Sequence, residues 1–542
     1  MLRRTLIFAF SIALTLSVVG FSSAAFRVER VAAGLNQPTF VAQAPGDDGS
    51  LYIVERQGAS GGAGRILKRN LATGTSTTFL DFAGSAFTGD GGVLSLAFHP
   101  DFAANGKFYV ATSFNGGVNN LRNRVQEFRV VGGVPQFERT LLEYDNLLNP
   151  FHTVNMMAFN PLAVGVDRNY MTIQLGDGGT QADQDEFVNN SQDLSKLYGK
   201  ILRVDVSDGA DAYPTETTKN FGIPAGNPYA SDGNPNTLGE IYASGFREPF
   251  RGSYDRLTGD YYVGDVGFNT KEEINFIKAD SWGTDFGWAR REGTIQTPAP
   301  SGGPQGTSIN PIFQLDHNTG NQSFTGGYVY RGPVTELQGT YFFSDFVSGK
   351  IFSGNFDRNT SAASFNGANL TNFQDRTSEL ESLVLGGADL RNITSFAEDN
   401  AGNLYLVKFG NAFFPPNGQG EVFRIVPGSL GDRSDINFDG VVDADDWVVF
   451  LTYNKTSLAG LTPDESHARG DLDGDIDNDF ADFQIFRGDY NAIHGAGAFD
   501  ALLAHVPEPS TCAATVAAAA ALCIIPPRKA QRPFWANAFS VN

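Results

Sequence analysis

Three short segments carry side chains whose types and spacing could do chemistry. Phe151-His152-Thr153-Val154-Asn155 places a histidine directly before an apolar run that ends at Phe159. Histidine, with an ordinary pKa near 6.5, can take the proton of a hydroxyl at neutral pH. Gly245-Phe246-Arg247-Glu248-Pro249 sets an arginine on a proline-stiffened turn, a cation able to stabilise negative charge developing on an oxygen. Gly264-Asp265-Val266-Gly267-Phe268-Asn269 continues to Glu272-Glu273, so a glycine turn that exposes carbonyl oxygens is followed by a pair of carboxylates. Any metal in the body must be held by oxygen or imidazole, which makes Glu272 and Glu273 candidate metal ligands. His99, framed by Pro100 and Asp101, and Asp177 in Leu175-Gly176-Asp177-Gly178-Gly179 read as turn residues.

A second oxygen-rich region follows Pro427-Gly428. Asp435, Asn437, Asp439, Asp443 and Asp446 fall at positions 1, 3, 5, 9 and 12 of a calcium loop, with the Val441 carbonyl between them and Gly440 at the sharp turn. Asp471, Asp473, Asp475, Asp477, Asp479 and Asp482 repeat the spacing, with Ile476 in place of the turn glycine. An apolar segment with helical spacing follows each loop, Trp447 to Tyr453 and Phe483 to Tyr490. Twin loops each followed by a helix resemble a type I dockerin, a resemblance that implies a cohesin-type protein partner. A solvated acidic linker is the alternative.

The chemistry-bearing segments need a scaffold. The chain has 542 residues, 41% hydrophobic and 18% charged, and its 62 glycines and 45 phenylalanines favour short strands punctuated by turns over helical bundles. One strand pattern recurs: Gly49-Ser50-Leu51-Tyr52, Gly106-Lys107-Phe108-Tyr109, Gly259-Asp260-Tyr261-Tyr262, Gly339-Thr340-Tyr341-Phe342 and Gly402-Asn403-Leu404-Tyr405, with Arg168-Asn169-Tyr170-Met171 as a weaker sixth copy. Six copies in one chain predict an all-β, six-bladed β-propeller, followed by a small α-helical calcium-binding module. Residues Asp208 to Leu238, rich in Asp, Pro, Gly and Asn, read as an insertion on one face.

Further segments join the first three: Leu94 through Phe102, Leu175 to Gly179, Gln192-Asp193-Leu194 through Gly199-Lys200-Ile201-Leu202-Arg203, and Gly326 to Gly332. Together they resemble, from about residue 28 to 427, the soluble quinoprotein glucose and aldose sugar dehydrogenases, a family that includes the Hedgehog-interacting-protein-like propellers. The resemblance implies oxidation of the anomeric C–OH of an aldose to a lactone, with pyrroloquinoline quinone (PQQ) as hydride acceptor and a further electron acceptor downstream. It implies His152 as general base, Arg247 at the reactive quinone carbonyl, and the carbonyls of Gly267 and Phe268 as holders of Ca²⁺. It places the cofactor against Asp90, Arg247, Glu248, Gly267, Phe268 and Arg391. The chain departs from the family pattern at Val154-Asn155 in place of two glycines, and at Glu248 in place of asparagine. Val347 stands in place of lysine and Asp389 in place of one of two arginines. The exchanges remove cations and add acids where a tricarboxylate would bind. Two other functions stay open: a non-catalytic propeller that binds protein or glycan, and a calcium-dependent lactonase in which His152 activates water.

Both ends read as addresses. Arg3 and Arg4, an apolar run from Leu6 to Phe21 and Ser23-Ala24-Ala25 form an export signal peptide over 1–25. Val506-Pro507-Glu508-Pro509-Ser510, the apolar Cys512 to Ile525 and the basic Arg528, Lys529 and Arg532 resemble a PEP-CTERM sorting tail, which implies transient membrane anchoring. The expected organisation is signal peptide 1–25, propeller 26–428, calcium module 429–500 and tail 501–542, exported to the periplasm, cell envelope or exterior. Thirty-nine Lys and Arg against 60 Asp and Glu leave a formal charge of -21, which excludes nucleic acid as a partner. Cys512 and Cys523 are the two cysteines, so the body has no disulfide framework.

Overall fold

Each copy of the strand pattern forms the second strand of a four-stranded antiparallel sheet. These strands are Ser50–Gln57, Lys107–Gly117, Tyr170–Leu175, Tyr261–Asp265, Tyr341–Asp345 and Leu404–Lys408. Gly106, Gly259, Gly339 and Gly402 turn the chain into four of them with φ of 68, 72, 78 and 85°, a region open to glycine at little cost. The computed structural model describes residues 26–58, 63–117, 120–146, 150–179, 189–297, 308–384, 387–428, 433–437, 441–459, 461 and 466–503. Residues 1–25, expected as an export signal, residues 504–542, expected within the sorting tail, and Asp439 and Gly440 of the first acidic loop lie outside the described residues.

Six such sheets stand around a central channel as the blades of a propeller, in agreement with the repeat count. Their innermost strands are Pro38–Ala42, Gly92–Phe98, Val154–Phe159, Pro249–Tyr254, Phe324–Val329 and Ile393–Glu398. The ring closes in the sixth blade, where Phe26–Leu35 pairs antiparallel with Gly420–Pro427 and brings Phe26 opposite Pro427. The start of the body and the end of its last strand therefore share one sheet. Between blades the second-strand aromatics meet, as where Tyr262 stacks on Tyr341 with centroids 4.8 Å apart.

Side chains also link each blade to the next around the channel. Thr39 donates to the Val93 carbonyl at 3.1 Å, Ser95 to the Met156 sulfur at 3.6 Å and Gln174 to the Pro249 carbonyl at 2.7 Å. Ser253 then donates to Gly327, Thr325 to Ile393 and Thr394 to Pro38, at 2.7, 2.9 and 2.9 Å, which completes the circle. Arg251, only 1% exposed, lies across the middle. It donates to the carbonyls of Asn155, Thr39 and Leu94 at 2.5, 2.8 and 3.1 Å, joining four blades through one guanidinium. Burial lowers its pKa to about 9, so it remains the charged donor near neutrality.

After the propeller, the helices Ala444–Tyr453, Phe480–His494 and Ala498–Leu503 pack on Ile436, Trp447, Phe450, Leu472, Phe486 and Phe499. The first two begin with matching capping boxes, Asp443 with Asp446 and Asp479 with Asp482.

Arg251→Met fills the same channel volume but leaves the three carbonyls without their donor. The variant should unfold at a lower temperature, with a loss on the order of 3 kcal/mol, measured by thermal or denaturant unfolding.

Candidate functional site

In an antiparallel blade the start of the innermost strand and the end of the second strand lie at the same end of the channel. That rule gathers the candidate residues. Asp90, His152, Arg247 with Glu248, and Arg391 immediately precede the innermost strands of blades two, three, four and six, while Asp177 and Gly267-Phe268 follow second strands.

His152 is buried, 6% exposed, and holds φ of 57°, a left-handed conformation rare for a residue with a β-carbon. Its amide points to Asp90 at 3.3 Å and its Nδ1 meets Asp177 Oδ1 at 2.6 Å. The second Asp177 oxygen accepts from Trp288 Nε1 at 2.8 Å. Burial acts to raise the Asp177 pKa, but His152, together with the Arg247 charge and the Trp288 hydrogen bond, outweighs it and holds the carboxylate below its ordinary range. Asp177 is thus a partner of the histidine and not the simple turn residue its Gly-Asp-Gly-Gly setting suggested. Gly179 makes the approach possible, because a β-carbon there would stand 2.0 Å from His152 Nδ1.

Arg247 comes from the neighbouring blade. Its main-chain amide is held by Asp265, its Nη1 donates to the carbonyls of Val266 and Gly267 at 3.2 and 2.9 Å, and its guanidinium lies 5.6 Å from the Phe268 ring and 5.8 Å from the Trp288 ring. The Gly267 carbonyl therefore faces the cleft, where it accepts from the arginine.

The turn after Gly267 has a template that the sequence did not reveal. Glu292 Oε1 accepts from the consecutive amides of Phe268, Asn269, Thr270 and Lys271 at 2.8 to 3.0 Å. Glu272 takes the preceding amide, that of Gly267, at 3.3 Å, and also accepts from His317 Nε2 at 2.6 Å and the Phe324 amide at 2.7 Å. Two carboxylates consume every amide from 267 to 271, which leaves the carbonyls to face elsewhere. Glu272, expected as a calcium ligand, serves here to tie blade four to blade five. Glu273 likewise accepts from the amide of Gly293 and from Asn275, opposite Asp265 in the strand register.

The departures from the family pattern touch one another. Asn155 Nδ2 donates to Glu248 Oε1 at 2.5 Å, and the two side chains are 2% and 6% exposed. Glu248 Oε2 has no hydrogen-bond partner among the described residues and stands 3.9 Å from His152 Nδ1. Burial, and then the charge of Asp90, push the Glu248 pKa well above the carboxylate range. Asp90 is raised by burial as well. Arg391 does not enter the cleft: it is 63% exposed and closed on Asp389 at 2.5 Å. His99 sits in a local network with Asn169, Asp101 and Asn105, in line with a structural role.

The two acidic loops have matching designs. Asp446 accepts from the amides of Ile436, Asn437 and Asp443, and Asp482 from those of Leu472, Asp473 and Asp479. In the second loop Asp471, Asp473 and Asp475 bring one oxygen each within 4.8 Å of one another, as do Asp475, Asp477 and Asp482. Burial and mutual repulsion raise Asp471 and Asp473 to about 6. Ile476 holds φ of 74° at the turn position.

Six blades around a channel whose mouth carries a His–Asp pair and a cleft-facing arginine define a six-bladed β-propeller with a polar site at one end of its channel. The Glucose / Sorbosone dehydrogenase family model matches residues 35–408, and the chain belongs to that family. It is 28% identical over 394 residues to the HIPL1 protein of Arabidopsis thaliana, covering 61% of this chain and 54% of the relative. It is 27% identical over 339 residues to the Hedgehog-interacting protein of Homo sapiens, covering 59% and 42%. The chain thus spans about half the length of these relatives. Two solved structures share the fold. The soluble aldose sugar dehydrogenase of Escherichia coli in the apo-form has a TM-score of 0.54 at 18% identity, covering 74% of this chain and 100% of its own. A putative oxidoreductase (glucose dehydrogenase) from Thermus thermophilus has 0.53 at 22%, with the same coverage.

Two measurements test the electrostatics. Burial pushes the Glu273 carboxyl up to about 7. A carboxyl raised in the folded state stabilises fully below its unfolded pKa near 4.5, and that contribution is lost as pH rises through 7. Glu273→Gln should therefore melt above the wild type at about pH 8, with the difference gone at about pH 4. In the second loop, Ile476→Gly relieves a left-handed β-branched residue and should strengthen Ca²⁺ binding there by about fivefold, corresponding to roughly 1 kcal/mol, as read by calorimetry.

Proposed function

We propose that the propeller is a PQQ-dependent dehydrogenase of the aldose type, oxidising the anomeric C–OH of a sugar to the lactone. The carrying observation is the convergence of the His152–Asp177 pair with Arg247 and the Gly267 carbonyl at one channel mouth. The donor types suit the reacting end of the quinone: the carbonyls of Gly267 and Phe268 would hold Ca²⁺, and Arg247 would supply the cation for a quinone oxygen. When bound, PQQ supplies the acceptor for the hydride that leaves the anomeric carbon.

The chain's own residues handle the proton. Asp177 takes the Nδ1–H of His152, which selects the tautomer whose Nε2 carries the lone pair, so Nε2 is the atom that accepts the sugar hydroxyl proton. Asp177 then offsets the imidazolium charge, and Trp288 keeps that carboxylate in place. Gly179 packs closely on the His152 ring, and Gly176 on the His152 main-chain carbonyl, which restricts the orientation of the residue.

A non-catalytic propeller that binds protein or glycan is the second reading. It is favoured by the buried Asn155–Glu248 pair, by the spending of Arg247 on main-chain carbonyls and by the closure of Arg391 on Asp389. The export signal, the tail and the -21 charge support a place at the cell envelope or outside it. The twin acidic loops support a Ca²⁺-dependent contact with a cohesin-type partner.

Full-length protein supplied with Ca²⁺ and excess PQQ should reduce an artificial dye with aldoses. His152→Ala should lose on the order of 10² to 10⁴ in rate, and Arg247→Ala should also slow turnover. Failure to bind PQQ would transfer the assignment to the binding module, and lactone hydrolysis with Ca²⁺ alone would point to the lactonase.

A further inference from the structure

The connection between the second and third strands of blade six opens at the same channel mouth. It presents Phe413 at 58% and Phe414 at 67% exposure, and Val347 on the neighbouring turn of blade five is 44% exposed. Apolar side chains this open and this close together mark a surface that meets something. The rings are held in place. Phe413 lies 4.9 Å from Phe414 and 5.5 Å from Phe346, both nearly perpendicular, and Phe346 lies 5.9 Å from Phe409. The backbone beneath is fixed by Gln37 donating to the Pro415 carbonyl at 3.0 Å, by the Gly418 amide on Asn36 at 3.0 Å and by Asn392 donating to the Phe346 carbonyl at 3.1 Å.

Arg56 links this aromatic cluster to the surroundings of the candidate site. The Arg56 guanidinium lies 6.0 Å from the Phe409 ring and 4.9 Å from the Phe87 ring, and its charge acts on Asp90, which faces the His152 amide.

We propose that Phe413 and Phe414 form a saccharide platform, a subsite for a further ring of an oligosaccharide whose reacting unit lies at His152. This rests on the sugar reading of the site. A pyranose offers a C–H face that packs on an aromatic ring while its hydroxyls stay in water, so a neutral sugar chain suits rigid, exposed phenylalanines. Because the two rings stand nearly perpendicular, each offers its own face. Anionic chains and acidic lipid headgroups suit the surface poorly, since Arg391 beside it is closed on Asp389 and the protein carries a charge of -21. The ligand class is therefore a neutral oligosaccharide and not a free monosaccharide alone.

Calorimetry on the full-length protein without PQQ tests this, using glucose and gluco-oligosaccharides in β-1,4 and α-1,4 linkage from disaccharide to hexasaccharide. Affinity should rise with chain length in at least one series, by about three- to tenfold for each ring engaged. Phe413→Ala/Phe414→Ala should abolish that gain with an unchanged melting temperature, because both rings are exposed, and Phe413→Tyr/Phe414→Tyr should keep it. His152→Ala should keep it too, which separates the platform from the proton chemistry. Glucose and the oligosaccharides binding alike, or the alanine pair leaving the gain intact, would overturn the proposal. So would a concentration-dependent dimer that the alanine pair dissolves, since the patch would then be an interface between copies. Dye reduction with glucose but no length dependence would remove the platform and leave the dehydrogenase reading standing, and the reverse result would do the opposite.

Discussion

Everything at the channel mouth depends on how the innermost strands are held relative to one another, and that is decided in the channel. Arg251 reaches from blade four to main-chain carbonyls of blades one, two and three, while a circle of Ser, Thr and Gln side chains links each blade to the next. A buried guanidinium is costly to desolvate, and here carbonyl oxygens offset that cost. Since His152 and Arg247 each sit two residues before an innermost strand, a shift between those strands would move the base and the cation apart. The N-terminal strand adds to the constraint from outside by completing the last blade.

The site built on this frame is strongly acidic. Asp90, Asp177, Glu248, Asp265, Glu272, Glu273 and Glu292 are all close to Arg247, His152 or the turn between them, and the structure handles them in different ways. Glu292 and Glu272 are satisfied by main-chain amides and shape the turn. Asp177 is held ionised by His152, whereas burial drives Glu248 and Asp265 toward the neutral form. The carboxylates that matter most for geometry are those with full sets of donors, because an amide-saturated carboxylate fixes the backbone around it. The acidic loops of the helical module follow the same rule: Asp446 and Asp482 bind amides and cap helices, while Asp471, Asp473 and Asp475 crowd their oxygens together.

The blade count was legible along the chain, because a glycine turn followed by an aromatic strand is a local signal that survives any tertiary arrangement. The sequence also singled out His152, Arg247 and the Gly267 turn, which the fold brings to one channel mouth. The helices after the acidic loops were legible for the same reason, since capping and apolar spacing act within one turn. Side-chain partners depend on the folded arrangement of the blades. Asp177 lies in a Gly-rich stretch that reads as a turn, and its role becomes visible when blade three folds it onto His152 and Trp288 arrives from far along the chain. Glu292, His317 and Arg251 gave no local signal, because each acts on groups that are distant in sequence. Glu272 and Glu273 had the composition of metal ligands, yet the fold turns them toward amides, and Arg391 is held outside by the adjacent Asp389. Residue type sets what a side chain can bind; which donor it meets is fixed by strand pairing and blade order, and those are long-range properties of the closed ring.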